Sequence, residues 1–236
     1  MTPTLRDVLG HLGAGLILLC ALAATPWAAF GLPARFPVAA VAVYTAAVPL
    51  ILAVLPKRLP GDRFGPANAV TLVRLAATAV LTAALALPTH DLAQPPLAWT
   101  LCALAVTAFA MDGLDGWIAR RRNIASPFGA RFDMELDAFV TLVLAALAWR
   151  METAGVWVLA AGAARYVYVA AGWLWPPQHR PLPPSQRRRI ICAVTVGTLS
   201  VLPAPVLPPL LAAGAAAAAT LALLGSFAAD VVRARG

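Results

Sequence analysis

Long apolar segments follow one another along the whole chain, and each ends in a short stretch that is polar, charged or rich in proline. A membrane-spanning helix needs about 20 mostly apolar residues, so the pattern predicts eight such helices. They cover residues 11–31, 37–55, 67–87, 97–118, 129–149, 154–175, 188–203 and 207–230. The weakest boundary is the last, LPAPVLPP, because two segments flanked by proline there are also compatible with one broken helix.

The composition supports a membrane protein. Hydrophobic residues make up 61% of the 236 residues and charged residues only 12%, whereas soluble domains carry about 25% charged residues. Because every backbone polar group must be paired inside the lipid, long apolar segments form helices there. We therefore predict an all-α integral membrane protein with about eight transmembrane helices.

The basic residues predict the orientation in the membrane. Positively charged loops stay in the cytoplasm, and with the N-terminus inside, the opposite loops contain only Arg35 and Arg150. We expect a protein of the bacterial inner membrane with both termini in the cytoplasm. The net charge of +8 then favours contact with anionic membrane lipid, and no nucleic acid partner is expected because the basic residues are spread over loops between spans. The cytoplasmic residues are Arg6, Lys57, Arg58, Arg63, Arg120, Arg121, Arg122, Arg180, Arg187, Arg188, Arg189, Arg233 and Arg235.

Half of the ten acidic residues lie in the short stretch from Asp112 to Asp137. Residues three and four apart share one face of a helix, so two acidic stripes are predicted on antiparallel neighbouring helices. One stripe contains Asp112, Asp115, Gly116 and Ala119, and the other contains Gly129, Asp133 and Asp137. The four aspartates then converge at the cytoplasmic end of the membrane, whereas Glu135 points about 80 to 100 degrees away from Asp133.

Four carboxylates at one place repel one another and suffer desolvation. Hard divalent cations, which prefer oxygen ligands, would neutralise the carboxylates. A pair of such ions is common where phosphoryl groups are transferred. The small residues on the same stripes, Gly116, Ala119 and Gly129, leave room for a substrate against the backbone. The alternative is that the acids only pair with nearby arginines such as Arg131 in a solvated network.

The spacing also resembles a known family. Asp112, Asp115-Gly116, Ala119-Arg120, Gly129, Asp133 and Asp137 match all eight specified positions of the motif of the CDP-alcohol phosphotransferases. Asn68, Thr71 and Arg74 resemble the family's first-helix pattern, except that Ala67 stands where the family commonly has proline. The resemblance implies a six-helix core, a homodimer, and a CDP-alcohol bound at the cytoplasmic side with two Mg or Mn ions.

By this resemblance the catalytic core is residues 66–236, preceded by two additional N-terminal helices in residues 1–56 and a cytoplasmic linker at 57–65. The resemblance also implies a role for each motif residue. Asp112, Asp115 and Asp133 are the expected metal ligands, and Asp137 is both a metal ligand and the general base. The expected contacts to the CDP-alcohol are Asn68, Gly116, Ala119, Arg120 and Gly129. Arg74 is expected either to extend to the interface or to support the acids.

The donor and the acceptor remain open at this stage. Arg165 lies inside an apolar segment, where a charge is costly and usually functional, and Arg187 and Arg189 lie on the cytoplasmic side. Together they suit an acceptor with its own phosphate, such as glycerol 3-phosphate, with CDP-diacylglycerol as donor and CMP as product. The alternative is transfer of phosphocholine or phosphoethanolamine from CDP-choline or CDP-ethanolamine to diacylglycerol, for which RYVYVAAGWLW supplies aromatic rings.

A function from another class is transport of divalent cations through the same acids. Transport predicts acids on several helices at different depths of the membrane. Here they collect at one end of two adjacent helices, so the pattern favours the enzyme.

Overall fold

The computed structural model describes residues 3–56, 59, 63–121, 126–174 and 186–235, and side chains throughout these ranges except at 3, 114–120, 171–174 and 230–235. The described residues form α-helices and one 3₁₀ turn, Val156–Val158, without any strand. The helices are α1 (Pro3–Phe30), α2 (Arg35–Ala53), α3 (Gly65–Ala84), α4 (Thr89–Leu92), α5 (Pro95–Arg121), α6 (Pro127–Arg150), α7 (Leu159–Leu174), α8 (Gln186–Val201) and α9 (Pro209–Arg235). The predicted all-α fold is confirmed.

Each predicted segment corresponds to one long helix, and among the described helices the four-residue α4 is the one that was not predicted. At LPAPVLPP the helix is interrupted, because α8 ends at Val201 and α9 begins at Pro209. Five of the described helices are long and apolar enough to cross a membrane, namely α1, α2, α3, the first part of α5, and α9. The chain is an integral membrane protein, and the count of eight spans stays a prediction.

The first of two compact units contains residues 1–137 and is built around α3. This helix packs against α1, α2 and α5. Its apolar window is 72% buried, compared with 22% to 33% for the other four candidate spans. Small residues such as Ala76, Ala79 and Ala83 allow this close packing on several sides. Because α3 is enclosed by its neighbours, a polar side chain on it is held in one place.

The two N-terminal helices belong to this unit and contact each other and α3. The Tyr44 hydroxyl on α2 donates a hydrogen bond of 2.9 Å to the Leu12 carbonyl on α1. Gly15 lies against the same hydroxyl and against Leu72 of α3, so a Cβ at this position would collide with the tyrosine. Close helix packing at a glycine explains why α1 lies so near both neighbours.

The second unit contains residues 138–236, which include most of α6 and all of α7, α8 and α9. Gly162 of α7 lies so close to the Leu142 backbone of α6 that a Cβ would collide with it. The Thr195 hydroxyl on α8 contacts the Ala219 carbonyl on α9 at 3.3 Å. The alanine-rich part of α9 buries Ala212, Ala216 and Ala219, which agrees with a role in packing.

Candidate active site

Three predicted site residues lie together in the first unit. Asp112 is near the C-terminal end of α5, and Asp133 and Asp137 lie one turn apart in the first part of α6. Each offers a carboxylate oxygen, and these oxygens all lie within 4.8 Å of one another. We call these three residues the carboxylate cluster. Asp115 also lies on α5, but its side chain is outside the described residues.

Arg74 of α3 binds all three members of the cluster. Its Nη2 lies 2.7 Å from Asp112 Oδ1 and 2.6 Å from Asp137 Oδ1, and its Nη1 donates to Asp133 Oδ1 at 2.6 Å. Several donors on one planar guanidinium make such a multiple contact possible. Of the two roles expected for Arg74, the structure shows the supporting one.

The arginine and the acids differ in their access to solvent. The Arg74 side chain is 2% exposed, whereas the side chains of Asp112, Asp133 and Asp137 are 33%, 34% and 43% exposed. The guanidinium therefore lies beneath the carboxylates, whose outer surface stays accessible. A buried cation needs such partners because an unpaired charge in this environment is costly.

The charge of the cluster and its donor atoms fit a divalent cation. Three carboxylates and one guanidinium leave a formal charge of −2. Oxygen donors grouped in this way suit Mg²⁺ or Mn²⁺, which prefer carboxylate ligands. These three aspartates could therefore hold a divalent cation, and their partly exposed side chains leave it accessible to a ligand.

Two predicted nucleotide contacts, Asn68 and Gly129, lie next to each other. Asn68 is buried, and its Nδ2 donates to the Phe64 carbonyl at 2.5 Å. A Cβ at Gly129 would lie 2.6 Å from Asn68 Oδ1. Ser126 fixes the start of α6, because its hydroxyl accepts a 3.0 Å hydrogen bond from the Gly129 N–H. Space beside the Asn68 amide thus depends on the absence of a side chain at Gly129.

The remaining predicted contacts lie on the last turns of α5 and in the second unit. Gly116, Ala119 and Arg120 lie in the last turns of α5, within the segment whose side chains are not described. The expected acceptor residues belong to the second unit: Arg165 lies on α7, and Arg187 and Arg189 lie in the first turn of α8. Arg187 Nη2 donates to the Ser226 carbonyl at 3.4 Å. Their role in binding an acceptor stays a prediction.

Comparison with known sequences identifies the family. The sequence profile of the CDP-alcohol phosphatidyltransferases matches residues 64–229, which is most of the chain and includes the whole acidic motif. The chain belongs to the CDP-alcohol phosphatidyltransferase family. The resemblance noted in the sequence is thus confirmed.

Two curated relatives support this assignment. Cholinephosphotransferase 1 of Homo sapiens is 33% identical over 113 residues, which are 45% of this chain and 28% of the human protein. Cholinephosphotransferase 1 of Mus musculus is 35% identical over 97 residues, which are 39% of this chain and 24% of the mouse protein. The matches thus span only about a quarter of the length of these relatives. No solved structure matches this chain.

Proposed function

We propose that this transferase moves a substituted phosphate group from a CDP-alcohol to the hydroxyl of an acceptor alcohol, releases CMP and so synthesises a phospholipid. One observation carries the proposal: an accessible carboxylate cluster is held on a buried arginine in a membrane protein of this family. The adjacent Asn68 and Gly129 provide a place for the nucleotide.

Asp112, Asp115, Asp133 and Asp137 would hold two divalent cations, Mg or Mn. Such ions, when bound, neutralise the charge of the diphosphate and of the departing CMP. The excess negative charge of the cluster and its oxygen donors support this assignment. Arg74 reduces the excess negative charge and holds the carboxylates of Asp112, Asp133 and Asp137 in place.

Asp137 acts as the general base in this proposal. It accepts the proton of the acceptor hydroxyl while that oxygen forms a bond to the phosphorus that carries the donor's alcohol. The bond between this phosphorus and the oxygen bridging to CMP breaks, and CMP leaves with the electron pair. Among the three clustered carboxylates Asp137 is the most exposed, at 43%, which suits a group that must meet an incoming hydroxyl. Arg74 holds it in position through Oδ1.

For the substrates, we favour CDP-diacylglycerol as donor and a phosphorylated acceptor such as glycerol 3-phosphate. Arg165, Arg187 and Arg189 supply the positive charge that would bind the phosphate of the acceptor. The second candidate is transfer of phosphocholine or phosphoethanolamine from CDP-choline or CDP-ethanolamine to diacylglycerol. The names of the two curated relatives, both cholinephosphotransferases, favour that candidate.

The expected setting is a homodimer in a bacterial inner membrane, with both termini and the active site in the cytoplasm. The distribution of lysine and arginine along the chain supports this orientation. The family resemblance supports the dimer.

The deciding experiment uses the purified full-length protein in lipid nanodiscs with Mg²⁺ or Mn²⁺ and measures CMP release. CDP-diacylglycerol is tested with glycerol 3-phosphate and with unphosphorylated alcohols, and CDP-choline and CDP-ethanolamine are tested with diacylglycerol. We expect CMP from CDP-diacylglycerol only with a phosphorylated acceptor. CMP release only from CDP-choline or CDP-ethanolamine would establish the second candidate, and no CMP from any pair would reject the transferase reaction proposed here.

A further inference from the structure

An acid on the first N-terminal helix contacts the start of α3. Asp7 of α1 accepts a hydrogen bond from the Phe64 N–H through Oδ2, at 2.7 Å. Phe64 is the N-cap residue of α3, and its own side chain makes no capping hydrogen bond. The first N–H groups of a helix have no partner within it, and negative charge is favourable there. Asp7 thus anchors the N-cap residue of α3 from a different helix and places negative charge at the N-terminus of α3.

The same Phe64 backbone also holds Asn68. Its carbonyl accepts the hydrogen bond from Asn68 Nδ2 at 2.5 Å, while its N–H is bound to Asp7. The next residue, Gly65, has φ +81°, a conformation that other residues rarely adopt. The position of the Phe64 backbone therefore determines the orientation of the Asn68 amide, whose Oδ1 faces Gly129.

The Phe64 ring adds a second contact between α1 and this region. It is 1% exposed and lies between His11 of α1, with ring centroids 5.3 Å apart, and Phe128 of α6, at 6.3 Å. His11 Nδ1 in turn lies 2.9 Å from the Asp7 carbonyl. Asp7 and His11 both precede residue 64, where the match to the family begins.

We propose that Asp7 is a positioning residue for the nucleotide subsite and that α1 braces the first turn of α3 against α6. By holding the Phe64 N–H, Asp7 fixes the peptide that orients Asn68, and Asn68 then meets the CDP-alcohol. The expected effect of Asp7 on binding of the CDP-alcohol rests on the proposed function. Its expected effect on the backbone of the first turn of α3 does not depend on that function.

The first test compares Asp7→Ala with Asp7→Asn in the CMP-release assay. Alanine removes the acceptor, whereas asparagine retains a side-chain oxygen and caps helices about as well as aspartate. We expect Asp7→Ala to raise KM for the CDP-alcohol about fivefold, within the range that loss of a cap allows, with kcat changed less than about twofold. Asp7→Asn should keep KM near that of the unaltered protein.

Tyr44→Phe is the matched control. It removes the hydrogen bond between α2 and Leu12 of α1 but leaves the Asp7 contact intact. We expect no change in KM for this variant. An equal rise in KM would mean that loosening of α1 in general causes the effect, and it would overturn the specific role of Asp7. A fall in kcat alone, or equal damage from Asp7→Asn and Asp7→Ala, would also overturn it.

The second test needs no substrate. Hydrogen–deuterium exchange of the amides at residues 64 and 67–70 should be faster in Asp7→Ala than in the unaltered protein and unchanged in Asp7→Asn. Unchanged exchange in Asp7→Ala would overturn the proposal even if the enzyme is active. If the unaltered protein releases no CMP from any donor, the proposed function fails while exchange still decides whether Asp7 fixes this turn.

Discussion

Arg74 determines how three aspartates can share one small volume. Its guanidinium contacts an oxygen of each at 2.6 to 2.7 Å. The three carboxylates and the guanidinium together carry a formal charge of −2. Without Arg74 the formal charge of the site would be −3, and the mutual repulsion of the acids would rise. One buried side chain therefore sets both the charge and the geometry of the site.

We expect Arg74→Met to lower the free energy of unfolding by about 1–3 kcal/mol. This is less than the roughly 3–5 kcal/mol for breaking a fully buried pair, because the carboxylates are partly exposed and water can screen them. CMP release should fall at least tenfold, since the acids lose their common anchor. Thermal unfolding and the CMP assay measure the two effects.

Arg74→Lys is the informative companion of that variant. An ammonium group retains the charge but cannot reproduce the planar arrangement of donors. We therefore expect the free energy of unfolding of Arg74→Lys to lie between those of Arg74→Met and the unaltered protein, and its rate of CMP release to stay low. A fully active Arg74→Lys protein would show that charge alone is required.

Asp137→Asn tests the general base. We expect CMP release to fall about 10²- to 10⁴-fold, the usual contribution of general base catalysis, while the protein still binds the CDP-alcohol. Glu135→Gln on the same helix is the control, because Glu135 is exposed and is not a member of the carboxylate cluster. Normal turnover in Asp137→Asn would contradict the assignment.

At the scale of the helix, α3 and α6 meet where Gly129 faces Asn68. Alanine at a helical glycine normally stabilises the helix by about 0.5–1 kcal/mol. In Gly129→Ala the new Cβ would lie 2.6 Å from Asn68 Oδ1, so we expect KM for the CDP-alcohol to rise severalfold without a comparable loss of stability.

Gly113→Ala is the control for that substitution, because among the described residues no atom lies within 4 Å of a Cβ at that position. It should leave KM unchanged. Steady-state kinetics on both variants checks the comparison, and equal KM values would show that Gly129 provides no room for the substrate.

In the second unit, α6 and α7 approach at Gly162. A Cβ there would collide with the Leu142 backbone, which cannot move aside as a flexible side chain can, so Gly162→Ala should destabilise the protein by about 1–3 kcal/mol. Gly214→Ala on α9 should have no such cost, because a Cβ there meets no atom of the described part of the chain within 4 Å. Thermal unfolding of the two variants measures the difference, and an unchanged melting temperature for Gly162→Ala would contradict it.

The sequence predicted the long helices because lipid imposes length and apolar composition on each of them. Convergence of Asp112, Asp133 and Asp137 was also predictable, since helical spacing places acids on one face. For Arg74 the sequence left two roles open, and only the fold decides between them, because residues 59 and 63 positions away in the chain supply its partners. Asp7 is similarly distant from the N-cap residue of α3, 57 positions along the chain, and no local pattern indicates their contact.

At the scale of the whole protein, we expect Mg²⁺ or Mn²⁺ to stabilise the fold. A ligand at a hundred times its dissociation constant adds about 2.7 kcal/mol when it binds only the folded state, so the melting temperature should rise saturably with either ion. Asp112→Asn and Asp133→Asn should lose this rise, whereas Glu135→Gln should keep it. An excess of chelator should abolish CMP release, and activity that persists in chelator would contradict the metal site.

The buried arginine also has a consequence for biosynthesis. Arg74 lies on α3, one of the helices apolar enough to cross the membrane, and a charged side chain within such a helix is costly unless it is paired. Its partners Asp133 and Asp137 are synthesised 59 and 63 residues later. The charge of Arg74 is therefore fully paired only after the ribosome has produced the first turns of α6. Stable insertion of α3 and completion of the active site are thus linked during synthesis.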